Sequence, residues 1–129
     1  SGDKVITDPR NAFGISWKVL CKLAALAGVD TIHTGMIGGY LDDDTIELKE
    51  TMKVLTDANV TPALSCGMHP GLIEMINNTV GVDYMANVGG AIHGHHDGTE
   101  AGAKAMRQAI DKKYGQEYGV AVNKWGIRK

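Results

Sequence analysis

Several short stretches of this chain carry residues able to do chemistry. Three of them end in glycine: His33-Thr34-Gly35, Ser65-Cys66-Gly67 and Asn87-Val88-Gly89-Gly90. Glycine lets backbone approach a ligand closely because no Cβ intervenes. The N–H groups of Gly89 and Gly90, with a helix N-terminus nearby, suit a phosphate. His33 has two readings: a histidine bonded to a neighbouring carbonyl, or a phosphate ligand or proton shuttle. Ser65 is equally open, as a satisfied hydroxyl or as a hydrogen-bond partner of substrate. It is no nucleophile elbow, since Gly-x-Ser-x-Gly is absent. His93, His95, His96 and Asp97 raise the question of a metal, but no further ligand outside that loop is evident. Asp42-Asp43-Asp44 reads most simply as a solvated loop and helix start, and a magnesium site there needs converging ligands the sequence does not indicate.

The elements that must hold these groups follow from apolar periodicity and caps. Helices are predicted near 16–27, 45–58, 70–79 and 99–113, and strands near 30–34, 62–66 and 84–88. Ser16 caps the first helix, whose apolar set is Val19, Leu20, Leu23, Leu26 and Ala27, and Gly28 ends it. Asp44 or Thr45 caps the second, with Ile46, Leu48, Met52, Val54 and Leu55 as its apolar set and Asn59 near its end. Pro70 suits the first turn of the third, which turns Leu72, Ile73 and Ile76 inward. The fourth uses Ala103, Met106 and Ile110, and Met75, Met85 and Met106 fill core. Residues 1–14 read as irregular, 89–98 as a glycine-rich loop, and the tail from Tyr114 as at most one further helical turn.

Short apolar strands alternating with helices define an α/β fold of parallel βα units in one domain spanning residues 1–129. Ligands of such folds sit at the carboxyl ends of the strands, and all three predicted strands end in polar or glycine residues. Three such ends together favour an anion-binding mouth over turn chemistry alone. A net charge of −2 implies no nucleic-acid or anionic-membrane partner. No apolar run approaches the ~20 residues of a membrane span. Cys21 in mid-helix and Cys66 at a strand end predict free thiols and a reducing, cytoplasmic setting.

Three ordered segments, "GISWKVLCKLAALAGVDTIHTG", "PALSCGMHPG" and "NVGGAIHGHHDGTEAGAKAMRQAID", resemble the C-terminal part of the ribulose-bisphosphate carboxylase (RuBisCO) large chain, the archaeal form III enzymes above all. The resemblance implies the C-terminal half of a TIM (β/α)8 barrel, its last three strands. It also implies a role in carboxylating a sugar bisphosphate. By position, His33 is similar to the histidine that contacts one substrate phosphate, and Ser65 to the serine that bonds the sugar bisphosphate. Gly67, Gly89 and Gly90 match the backbone donors for the other phosphate. The family's loop lysine, in a Gly-Lys-Leu context, is replaced here by Tyr40 in Gly39-Tyr40-Leu41, and Met36 stands where many members have threonine. Tyrosine supplies no cation for a developing carboxylate, a departure that favours a RuBisCO-like enolase or isomerase as the alternative. A non-catalytic half-barrel that only binds phosphate is the third reading. The resemblance places the carbamate lysine and acidic ligands of the family's Mg2+ on an earlier strand. Magnesium is therefore expected to be held by the missing N-terminal portion of the barrel and not by this chain. A half-barrel leaves sheet edges unpaired, so a homo-oligomer is expected.

Overall fold

The computed structural model describes residues 4–8, 10–40 and 43–128. In order these form α1 (Lys4–Thr7), α2 (Trp17–Leu26), β1 (Thr31–Gly35), α3 (Thr45–Asp57) and β2 (Thr61–Leu64). A 3-10 turn (Pro70–Leu72) leads into α4 (Ile73–Val80), followed by β3 (Met85–Ala86), α5 (Gly89–His93), α6 (Thr99–Asp111) and α7 (Gln116–Trp125). The strands make one parallel sheet ordered β1-β2-β3, as the strand–helix alternation predicts. His33 pairs with Ala63, Gly35 with Leu64 and Leu64 with Ala86; the register slips between His33 and Gly35.

Local chemistry explains the helix ends. The Ser16 hydroxyl accepts the Val19 N–H, and the Asp44 carboxylate accepts the N–H groups of Ile46 and Glu47, both at 2.9 Å. Each cap satisfies donors that the first turn of a helix leaves orphaned. Gly28 and Asn59 follow their helices with φ of 87° and 57°, the left-handed conformation that closes a C-terminus. Pro70 opens its turn without needing an N–H.

The main core lies between the sheet and α3, α4 and α6, on Met36, Leu48, Met52, Leu64, Leu72, Ile76 and Met106. A second cluster joins Cys21, Leu55 and Val60 with Trp17 and Ile32 at its border. The Trp17 indole donates to the His33 carbonyl at 3.0 Å, tying α2 to β1.

Several expectations need correction. On α2 the residue turned inward is Cys21, while Val19, Leu23 and Leu26 are exposed, the last at 78%. The apolar stripe is real, but no described residue covers it. Ile46 and Met85 are also exposed, and α6 buries Gly102, Ala105, Met106 and Ala109 instead of Ala103 and Ile110. Residues 4–7 are helical, β3 has only two residues, and the tail forms a ten-residue helix. Gly89-Gly90 opens helix α5, because the Val88 carbonyl accepts N–H groups from both Ala91 and Ile92. Asp42 lies outside the described residues.

Candidate functional site

Neighbouring parallel strands bring two of the predicted groups together. His33 in the middle of β1 and Ser65 just beyond β2 place Nδ1 and Oγ 3.0 Å apart. The partner of His33 is thus a hydroxyl and not a neighbouring carbonyl. When Nδ1 accepts the Ser65 proton, Nε2 carries N–H and can donate to an oxyanion. The imidazole is exposed, so a ligand can reach it. Ser65 Oγ also lies 3.6 Å from Cys66 Sγ, which continues the polar rim toward Gly67.

The loop after β1 folds back over this rim. The Asp43 carboxylate accepts the Met36 N–H at 2.8 Å while the Met36 carbonyl accepts the Asp43 N–H at 2.9 Å. Met36 and Ile37 are buried in the core, so the loop is anchored at its start. Its tip then lies on β2's end, where the Tyr40 N–H donates to the Cys66 carbonyl at 2.9 Å. Gly67 has φ +94°, and a Cβ there would stand 3.0 Å from the Tyr40 ring. The ring itself is 87% exposed. Between loop and strand ends opens a cavity of about 380 Å³ that includes Gly39, Tyr40, Cys66, Gly67 and Gly90 in its wall. His33, Ser65 and Gly89 are not among its wall residues; Ser65 precedes Cys66 and Gly89 precedes Gly90 in the chain. Among the described residues, the N–H groups of Gly67, Gly89 and Gly90 donate to no turn or cap acceptor.

Wall residues not singled out by sequence reasoning include His69, Trp125 and Arg128. His69 stacks on Trp125 with ring centroids 6.0 Å apart. Burial, and secondarily the Arg128 charge, lower its proton affinity, so the ring is neutral at pH 7. Its Nδ1 is buried with no hydrogen-bond partner. A histidine flanked by buried Met68 and Pro70 is the local hint to such a role, but the stacking across 56 positions of chain is not readable locally.

The two thiols differ in the same terms. Cys21 is fully buried and its thiol is pushed up to about 11, whereas Cys66 is exposed on the cavity wall. Iodoacetamide at pH 8 is therefore expected to add one group to the folded chain, on Cys66, and a second only in denaturant. Peptide mass spectrometry checks this; equal labelling of Cys21 would show that α2 does not seal the second core cluster.

The histidine-rich segment does not assemble a metal centre. His95 is buried, with Nε2 on the Glu117 carbonyl at 2.9 Å and Nδ1 accepting the Asp97 N–H at 3.1 Å. His93 Nδ1 lies 3.4 Å from the Thr99 hydroxyl. Asp43 and Asp44 are occupied by backbone N–H groups. Among the described residues no three His, Cys, Asp or Glu side chains cluster to hold an ion. Among the described residues the donor set does not fit magnesium.

Parallel βα units with polar groups at the carboxyl ends of the strands are the architecture of an α/β-barrel segment. The profile of the ribulose bisphosphate carboxylase large chain catalytic domain matches residues 1–125, and the chain belongs to that family. It is 37% identical to ribulose bisphosphate carboxylase of Pyrococcus furiosus over 132 aligned positions, which cover 90% of this chain and 31% of the relative. It superposes on octameric Rubisco from Pyrococcus horikoshii with a TM-score of 0.85 at 32% identity, covering 95% of this chain and 33% of that one. A rubisco-like protein from Alicyclobacillus acidocaldarius superposes with a TM-score of 0.84 at 27% identity over 95% of this chain and 35% of that one. The fold is that of a TIM-barrel segment, and the chain spans about a third of the length of these relatives.

Proposed function

We propose that this chain contributes the phosphate and sugar-bisphosphate contacts of a RuBisCO-type active site. Gly67, Gly89 and Gly90 receive one phosphate on their N–H groups, His33 contacts the other, and Ser65 bonds the sugar. The observation that carries this is the shared cavity: Gly67 and Gly90 come from different strand ends yet line one space with the loop tip. Magnesium, where the complete barrel binds it, is held by residues of the N-terminal portion, and this chain supplies binding and orientation. Tyr40 favours a second reading, a RuBisCO-like enolase or isomerase without carboxylation. A neutral phenol cannot replace a cation at a developing carboxylate, and one such stabilising contact is worth ~3–4 kcal/mol.

The test is a labelled-carbon-dioxide assay with the sugar bisphosphate and magnesium, run beside a bisphosphate-binding measurement. Its samples are the chain, its Tyr40→Lys variant, and each of them mixed with the N-terminal two-thirds of an archaeal relative. The chain alone and Tyr40→Lys alone give no product. Restoring the lysine replaces only one of several groups that act as a unit. The mixtures bind bisphosphate, and product forms with Tyr40→Lys more readily than with the parent. Product from either sample lacking the N-terminal portion sinks this assignment of roles. So does a stable mixture that fails to bind bisphosphate.

A further inference from the structure

The cavity at the strand ends has one cationic side chain in its described wall, and it comes from the opposite end of the chain. Arg128 follows α7, and three contacts of that segment fix its place. Its N–H donates to the Gly71 carbonyl at 3.2 Å. The Gly126 carbonyl lies so close to Gly71 that a Cβ there would collide with it. Trp125 stacks on His69. The side chain then reaches the loop tip, where a Cβ on Gly38 would stand 3.5 Å from Arg128 Cδ. Among the described residues, no carboxylate pairs with this guanidinium and none lines the cavity. A second observation points to a ligand independently. His69 is only 9% exposed, lines the same cavity, and leaves Nδ1 without a partner. A buried polar atom of that kind is costly unless a partner satisfies it.

We propose that Arg128 is the cation of this pocket, pairing with a phosphate-class oxyanion held on the Gly67 and Gly90 N–H groups while His69 faces the same ligand. The inference rests on the phosphate reading above and deepens it. The positive charge that the family's loop carries at position 40 is delivered here from the C-terminal segment. A guanidinium suits the task, because its planar fork presents paired donors to two oxygens of one phosphate. The anchoring is backbone-borne, so it survives replacement of the side chain.

Inorganic phosphate is titrated into the 15N-labelled chain at constant ionic strength, following the Gly67 and Gly90 amides. Four proteins are compared: parent, Arg128→Gln, Arg128→Lys, and Arg128→Gln combined with Tyr40→Lys. In the parent both amides shift saturably. Arg128→Gln weakens binding about tenfold or more, the loss expected for a charge-assisted pair. Arg128→Lys falls between the two, and Tyr40→Lys regains most of the affinity lost in the Gln background. A Gln variant that titrates within about twofold of the parent overturns the role of Arg128 and leaves the glycine site standing. Amides that stay still in the parent while others move overturn the phosphate reading and this inference together. Should Arg128→Gln lose its dispersed spectrum, the parent decides: phosphate shields Arg128, and not the α6 residue Arg107, from phenylglyoxal. Arg128 labelling at the same rate with and without phosphate overturns the proposal.

Discussion

Gly102→Ala lowers the stability of the chain by about 2 kcal/mol, although alanine is the better helix former by ~1 kcal/mol. Gly102 is buried in α6 where that helix crosses α5. A Cβ there would collide with the Ile92 carbonyl oxygen and stand 2.7 Å from Ile92 Cα. The obstacle is backbone and cannot rotate away, so α5 must shift as a unit. Overpacking of this kind costs ~3 kcal/mol, which exceeds the propensity gain. Gly119→Ala in α7 is the control, since nothing lies within 4 Å of a Cβ at that position. It is expected to stabilise by ~0.5–1 kcal/mol, so the two glycine substitutions differ in sign. Thermal unfolding reads both: Gly102→Ala drops the midpoint by roughly 6–10 °C and Gly119→Ala raises it by a few degrees. Because α5 begins at Gly89-Gly90, the Gly90 amide also moves in Gly102→Ala and stays put in Gly119→Ala. A Gly102→Ala protein as stable as the parent would mean that α5 and α6 do not meet there.

The same contrast explains which parts of the molecule are legible in the sequence. Caps are local events, so Ser16, Asp44, Gly28 and Asn59 can be read from a few residues, and each has its expected place. The carboxyl ends of the strands are legible too, because parallel α/β logic gathers them; the 3.0 Å His33–Ser65 pair is a consequence. Propensity misleads where tertiary contacts overrule it. Gly89-Gly90 looks like loop, yet the Val88 carbonyl and the packing of α6 hold it as helix. Gln116–Trp125 contains Gly119, Val120 and Val122, poor helix formers that disguise a helix stabilised by α6 and the Pro70–Leu72 turn. The cavity's third wall was invisible for the same reason: His69, Trp125 and Arg128 meet only once α7 has docked. On α2 the period reveals an apolar face but cannot say whether this chain covers it.

That uncovered face carries the last prediction. Replacing Leu23 and Leu26 together by lysine weakens self-association of the chain by about 10²–10⁴-fold, since a leucine buried at an interface contributes ~1.5–3 kcal/mol. Val19, Leu23 and Leu26 are 45%, 54% and 78% exposed along α2, and Phe13 beside them in sequence is 92% exposed. Strand β1, which follows α2, is an edge of the sheet, paired only with β2 among the described residues. An exposed apolar helix face next to an unpaired strand edge offers both the hydrophobic drive and the hydrogen-bond template for a second copy. The parent chain is therefore expected to be a dimer or larger at micromolar concentration and to dissociate on dilution. The Leu23→Lys, Leu26→Lys protein should sediment as a monomer with an unchanged far-ultraviolet spectrum, because neither side chain contributes to the described core. Sedimentation velocity across a hundredfold range of concentration separates the outcomes. A parent that stays monomeric at the highest concentration defeats the prediction. Association that persists undiminished in the double variant would place the contact elsewhere, with the β3 edge as the remaining template.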